Sequence, residues 1–257
     1  MPKRLRKLRV AWITGAGKGI GRHLATELAR MGWCVAVTAR TASDLEELVD
    51  EVEELLGDVV PYPGNIVDED AMGSIVETVE RELGQIDLAI LNAGTYLRFG
   101  VSDFTVKRFG EQISTNTMGT VNCLAPLMQT MMKRRSGQIA VISSLSAYRG
   151  LPMASAYGAS KAALTNMCEA LKPELNEFNV EISVVHPGFV KTPLTDLNQF
   201  PMPFLISGQK AANEIILGLE KNRFEISFPK RLSVIMKLLR YLPDKLYFSI
   251  TRRMIKK

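Results

Sequence analysis

The sequence predicts an open α/β fold: a doubly wound parallel sheet of about seven strands with helices on both faces, in one domain. Three observations carry that prediction. Short apolar runs alternate with longer stretches of helical periodicity. Most of the runs are apolar on both faces, as strands covered from both sides must be. A glycine-rich turn, TGAGKGIG at 14–21, stands between the first run and the first helical stretch. With 257 residues, 46% of them apolar, the chain is long enough to bury a substantial core.

Strands are expected at 9–14, 33–38, 58–62, 86–91, 138–143, 180–186 and 223–228. After the first, Ile20, Leu24, Leu28 and Met31 recur about every four residues opposite His23, Glu27 and Arg30. That pattern is an amphipathic helix, with His23 expected on its solvated face. No repeat or low-complexity segment interrupts the chain, and no shift of composition precedes residue 190. The domain is therefore expected over 1–228, including an apolar loop at about 189–208, and residues 229–257 form an appendage.

Composition excludes several function classes. No uncharged apolar run is long enough to span a bilayer, and MPKRLRKLR leads into a strand without the apolar segment of a signal peptide, so a cytoplasmic protein is expected. Cys34, Cys123 and Cys168 are far apart in apolar surroundings and read as buried thiols. His23 and His186 are the two histidines and neither stands beside a carboxylate cluster, so no metal is expected. The net charge of +5 is uneven: residues 1–9 hold five cations, residues 229–257 hold nine against Asp244, and the middle is net −8. Basic groups confined to two ends, without a recognition helix among them, argue against nucleic acid.

A glycine turn between strand and helix offers unpaired N–H groups and a partial positive charge to an anion. TGAGKGIG satisfies neither G-x-G-x-x-G nor the Walker pattern, but fits T-G-x-x-x-G-x-G through Thr14, Gly15, Gly19 and Gly21. Downstream, Tyr157 and Lys161 are four residues apart on an expected helix and share a face. A phenol with pKa near 10 is a poor acid at neutral pH unless its anion is stabilised. An ammonium roughly 4 Å away contributes on the order of 4 kcal/mol at an effective dielectric near 20, enough for that task. Ser144, thirteen residues before Tyr157, ends a strand where open α/β sheets place their ligands.

Together with LNAG (91–94), Asn116, ISS (142–144), YGASK (157–161) and HPGFVKT (186–192), the turn resembles the motif series of the classical short-chain dehydrogenase/reductase family, over residues 8 to about 225. The resemblance implies a Rossmann-type oxidoreductase. It implies that Ser144 donates to a substrate carbonyl, Tyr157 exchanges the proton, Lys161 tunes Tyr157 and holds the nicotinamide ribose, and Asn116 anchors a relay water. Ser143 is the neighbouring competitor, and the thirteen-residue offset favours Ser144. The resemblance also places Gly15, Gly19, Ile20 and Gly21 at the pyrophosphate. Asn92, Ala93 and Gly94 fall on the adenosine side, and Pro187, Gly188, Val190 and Thr192 at the nicotinamide. Asn65, with Ile66 after it, stands where the family commonly has an Asp toward the adenine. It implies a homodimer or homotetramer built on the helices carrying Asn116 and Tyr157.

Dinucleotide choice is read at the end of the second strand. An NAD site needs an acid there; Ala39 takes that place, Arg40 follows and Lys18 lies in the turn, so NADP(H) is expected over NAD(H). The loops around the serine and after Pro187 are rich in residues such as Tyr96, Leu97, Phe99, Leu197, Phe200 and Phe204, which indicates an apolar carbonyl or alcohol substrate. Acidic and sugar-phosphate substrates rank second, because only Arg98, Arg149, Lys191 and Lys210 offer cations there. Residues 229–257 read as two basic amphipathic helices, and two roles stay open: peripheral contact with the inner face of a membrane, or an arm packed on the protein. The reductase reading stands against a dinucleotide-binding sensor or scaffold, which would be expected to lose Tyr157 or Lys161. It stands also against a nucleotide-sugar epimerase or dehydratase, whose longer substrate domain and glycine spacing are missing.

Overall fold

A computed structural model describes residues 9–196 and 200–255; residues 1–8, Leu197 of the apolar loop and residues 256–257 of the appendage lie outside the described residues. In chain order the elements are β1 (Val10–Thr14), α1 (Gly19–Arg30), β2 (Cys34–Thr38), α2 (Ala42–Val52), β3 (Val59–Pro61), α3 (Glu69–Glu82) and β4 (Ile86–Leu91). Then follow α4 (Val106–Gln112), α5 (Gly119–Arg134), β5 (Gly137–Ile142), α6 (Ser155–Asn176) and β6 (Val180–Pro187). The chain closes with β7 (Val190–Lys191), β8 (Ile206–Ser207), α7 (Gly208–Glu220), β9 (Glu225–Phe228), α8 (Lys230–Tyr241) and α9 (Asp244–Arg252).

Seven strands form one parallel sheet in the order β3-β2-β1-β4-β5-β6-β9, and each overlaps a strand expected from the sequence. The two-residue strands β7 and β8 pair separately within the apolar loop. Alternation along β1 divides the core: Ala11 and Ile13 pack under α1, α2 and α7 with Leu24, Leu45 and Ile215. Val10 and Trp12 pack under α3, α5 and α6 with Met72, Leu127 and Leu164. The indole of Trp12, wholly buried, donates to Thr38 Oγ1 at 2.9 Å, so its polar end is not left unpaired. The strand order reverses between β1 and β4, and crevices for ligands open at the carboxyl ends of the strands at such a switch.

Cys34, Cys123 and Cys168 are buried free thiols, each raised in pKa chiefly by burial. His23 departs from expectation. It is half-buried, and a side chain at Gly208 would meet its ring at 2.1 Å, because α7, remote in sequence, packs across the face that helical periodicity assigns to solvent.

The two C-terminal helices pack on the body. On α8, Ser233 donates to Ser227 Oγ at 2.8 Å and Met236 is buried. Arg149 caps the end of that helix, donating to the carbonyls of Leu239 at 2.8 Å and Leu242 at 2.6 Å. The same guanidinium pairs with Asp244 at 2.7 Å and lies 3.8 Å from the centre of the Tyr247 ring, holding α9 as well. Among the described residues no helix is long and apolar enough to cross a membrane.

Candidate active site

The glycine turn is closed by backbone, not by bulk. Gly15 and Gly19 have φ of +67° and +60°, and a Cβ at Gly15 would lie 2.7 Å from Ala93 Cα. At Gly21 a Cβ would lie 2.4 Å from the Gly15 carbonyl oxygen. The Asn92 amide donates to the carbonyls of Thr14 and Gly15, both at 3.1 Å, and Thr14 Oγ1 accepts from the N–H groups of Asn92 and Ala93 at 3.0 and 3.2 Å. The LNAG motif is thus stitched to the turn, and the Asn92 side chain is engaged within the protein. Such a bare cradle at the start of α1 fits the pyrophosphate of a dinucleotide.

The two cations expected at a ribose phosphate differ in their surroundings. Arg40 is exposed at the end of β2. Lys18 pairs with Asp44 in the first turn of α2 at 3.1 Å, a partner the sequence reading overlooked although Asp44 lies in the same VTARTASDLEEL stretch. Arg22 ties this corner together by donating to the carbonyls of Gly17 at 3.1 Å and Asp44 at 3.0 Å. Exposed Asn65 accepts from Val67 N at 3.3 Å, closing a local turn. Ile66 is buried against Gly119, where a Cβ would lie 2.6 Å from its Cδ1.

A second group gathers at the ends of β4 and β5. Asn116 sits on a π-helical turn, Ile113–Met118, between α4 and α5, a wider winding that recurs at functional sites and leaves no mark in sequence periodicity. Its buried amide accepts from Thr95 N at 2.7 Å and donates to Thr95 O and Ser160 Oγ, both at 3.0 Å. A Cβ on Gly94 would lie 3.1 Å from Asn116 Oδ1 and 3.4 Å from Lys161 Nζ, so these three meet.

Geometry separates the two serines. Ser143 is buried and donates to Lys161 O at 2.8 Å, with Thr165 Oγ1 at 3.0 Å. Ser144 caps the short turn Leu145–Ala147, accepts from Ser146 N at 3.2 Å, and interacts with the Tyr157 phenol. Lys161 donates to the Ile142 carbonyl at 2.8 Å, with Nζ 5.9 Å from the centre of the Tyr157 ring. Tyr96 packs edge-on against that ring at 4.9 Å.

Burial is the main influence on both titrating groups, pushing the Tyr157 phenol up and the Lys161 ammonium down to about 8. The Ser144 hydroxyl opposes the rise at Tyr157. Lys161, which the resemblance implies tunes Tyr157, donates to the Ile142 carbonyl, and Ser144 is the direct hydrogen-bond partner of the phenol. Gly188 donates to Phe228 O at 2.7 Å, and Thr192 overhangs the turn, its Cγ2 lying 3.1 Å from a Cβ built on Gly19. Pro187 ends β6, and Val190 is buried on β7.

His186 lies in the core beside a single carboxylate. Its buried ring faces a carboxylate, with Nδ1 3.6 Å from Glu225 Oε1 and Thr165 Oγ1 3.0 Å from Nε2. Glu225 accepts from Tyr148 and from Lys237, and a cavity of about 340 Å³ adjoins the group. Strand β9 brings Glu225 beside β6 in the register His186 to Ser227, which spacing along the chain does not reveal. Among the described residues no group of three or more His, Cys, Asp or Glu is placed to hold a metal.

A parallel sheet that reverses order at a glycine turn, with Ser144, Tyr157 and Lys161 near one another, has the form of a dinucleotide-binding α/β fold. Comparison with known proteins agrees. The model of the short chain dehydrogenase family matches residues 9–200. An uncharacterized oxidoreductase of Myxococcus xanthus is 34% identical over 246 residues, 96% of this chain and 97% of that protein. A 3-oxoacyl-[acyl-carrier-protein] reductase of Thermotoga maritima is 34% identical over 193 residues, 73% of this chain and 76% of its own. The crystal structure of a short-chain type dehydrogenase/reductase from Mycobacterium marinum superposes with a TM-score of 0.78 at 26% identity, covering 85% of this chain and 92% of that one. The chain belongs to the short-chain dehydrogenase/reductase family.

Proposed function

We propose that this oxidoreductase uses NADPH to reduce the carbonyl of a lipophilic ketone or aldehyde, or runs the reverse oxidation of the alcohol. The observation that carries this reading is the pairing of Ser144 with a half-buried Tyr157. When bound, the nicotinamide supplies the hydride. Ser144 donates a hydrogen bond to the substrate oxygen, and Tyr157 passes its proton to that oxygen as charge develops there. Lys161, with Nζ 5.9 Å from the ring centre, favours the phenolate through its positive charge. That charge opposes the upward push of burial, and the same ammonium would hold the ribose hydroxyls. Asn116 has its side-chain amide committed to Thr95 and Ser160, so a relay water would use its main-chain carbonyl, beside the bond from Thr120.

Preference for NADPH rests on Arg40 and Lys18, with Ala39 where an acid would reject a 2′-phosphate. An apolar substrate is supported by the mouth: Phe189 packs on Phe200, Tyr96 on Tyr157, and Phe204 and Leu205 are exposed beside them in sequence. Arg149, one of the cations an acidic substrate would need, is committed to α8 and Asp244. Relatedness to a 3-oxoacyl-carrier-protein reductase fits a carbonyl borne on an acyl chain. The remaining parts of the proposal are a catalytic domain over 1–228, a homodimer or homotetramer built on the helical segments carrying Asn116 and Tyr157, and residence in the cytoplasm.

The deciding experiment follows NADPH oxidation against ketones and aldehydes of rising chain length, beside Tyr157→Phe. Turnover that grows with chain length and vanishes in the folded, cofactor-binding variant supports the reading. Full activity in Tyr157→Phe removes it, and NADPH binding with no turnover on any carbonyl favours the sensor.

A further inference from the structure

A helix needs one apolar stripe to pack on a protein body; α8 carries a second, and α9 exposes apolar side chains on both flanks of its buried one. Their inner faces are occupied: Ser233 and Met236 are buried on α8, Tyr247 and Thr251 on α9. Outward lie Val234, Ile235 and Leu238 on α8, while on α9 Leu246 and Ile250 flank the buried stripe on one side and Phe248 on the other, all from 39% to 65% exposed. Nine of the 22 large apolar side chains exposed among the described residues fall within residues 234–255, a concentration that single-surface chance does not produce. Around them stand six exposed cations, Lys230, Arg231, Arg240, Lys245, Arg252 and Arg253, with no ion-pair partner among the described residues. Lys237 is turned inward to Glu225, and Asp244 to Arg149.

We propose that the outward faces of α8 and α9 form one docking surface for an anionic lipid bilayer. Charge chooses this occupant. A second copy meeting the same face would bring two unpaired basic sets together, whereas lipid phosphates neutralise the cations while the apolar side chains enter the acyl boundary. The surface is held in place by Arg149, which fastens both helices to the loop that follows Ser144, and by Leu232, whose Cδ2 lies 2.9 Å from a Cβ built on Gly188.

The test is sedimentation of the full-length protein with vesicles of phosphatidylglycerol and phosphatidylcholine, compared with phosphatidylcholine alone. The protein is expected to pellet with the anionic vesicles and to be released as salt rises from about 0.1 to about 1 M. The double variant Leu238→Glu, Phe248→Glu alters exposed side chains only, so it should keep its circular dichroism and lose vesicle binding about ten-fold or more. Absence of pelleting with anionic vesicles overturns the proposal. So does unchanged binding in the double variant, or a change in its oligomeric state by light scattering in place of a change in vesicle binding. Vesicle binding reports nothing of turnover, so its failure leaves the reductase reading standing.

Discussion

The Lys161 ammonium lies 5.9 Å from the centre of the Tyr157 ring while it donates to the Ile142 carbonyl at 2.8 Å. One group is thus positioned to attract the phenolate, and burial makes it costly to keep charged, with its pKa pushed down to about 8.

Stability and activity should therefore move in opposite directions in Lys161→Met. The unfolded chain holds the lysine proton up to its ordinary pKa of 10.5, so stability rises with pH between about 8 and 10.5 and is lowest below that window. Removing the buried charge should raise stability at pH 7 by about 1–2 kcal/mol, after allowing for the hydrogen bond lost at Ile142. The gain should shrink at pH 10, and turnover should fall at least about 100-fold. Thermal melts at both pH values check this; a destabilised variant at pH 7 counts against it.

The two serines should separate cleanly. Ser144→Ala removes the hydroxyl that opposes the upward shift of Tyr157, so kcat should drop by about 100-fold with little change in melting temperature. Ser143→Ala leaves the Lys161 carbonyl and Thr165 short of a buried partner, so it should cost about 1–2 kcal/mol of stability and less activity. Steady-state kinetics paired with urea denaturation read both quantities, and equal kinetic losses in the two variants would contradict the assignment.

Cofactor choice should respond at two places. Ala39→Asp with Arg40→Leu should move the preference toward NADH, and retained NADPH selectivity would refute the role of these positions. Asp44→Asn frees Lys18 from its 3.1 Å pair and removes a carboxylate near the expected phosphate. Its KM for NADPH should fall several-fold while that for NADH stays close to its starting value. An unchanged ratio of the two KM values would show that Lys18 faces elsewhere.

Acid should weaken the fold through His186. Burial pushes its pKa down to about 4, with Glu225 opposing and Lys237 assisting, so the ring stays neutral in the folded chain while the unfolded chain gains a proton below 6.5. Stability should therefore be complete above about 6.5 and fall as pH drops toward about 4, by up to about 3 kcal/mol from this group. His186→Gln should flatten that limb of the stability curve. Urea midpoints from pH 7 to 4.5 test the slope, and identical slopes in both proteins would remove His186 as its source.

The strands, and the positions of the motif residues on them, were legible because local pattern determines them. Apolar runs marked the seven strands of the main sheet to within two residues at each end, and the glycine spacing marked a turn whose backbone leaves no room for Cβ atoms at Gly15 and Gly21. The four-residue spacing of Tyr157 and Lys161 put both on α6, and the thirteen-residue offset chose Ser144 over its neighbour. What the tertiary structure alone decided are contacts between distant segments: α7 over His23, Asp44 against Lys18, Glu225 beside His186, and Arg149 under α8 and α9. Period and propensity act over a few residues, whereas these pairings depend on how layers stack and on which groups burial brings together. For the same reason the π-helical turn at Asn116 and the turning of Lys161 toward Ile142 appeared only once the sheet and helices were assembled.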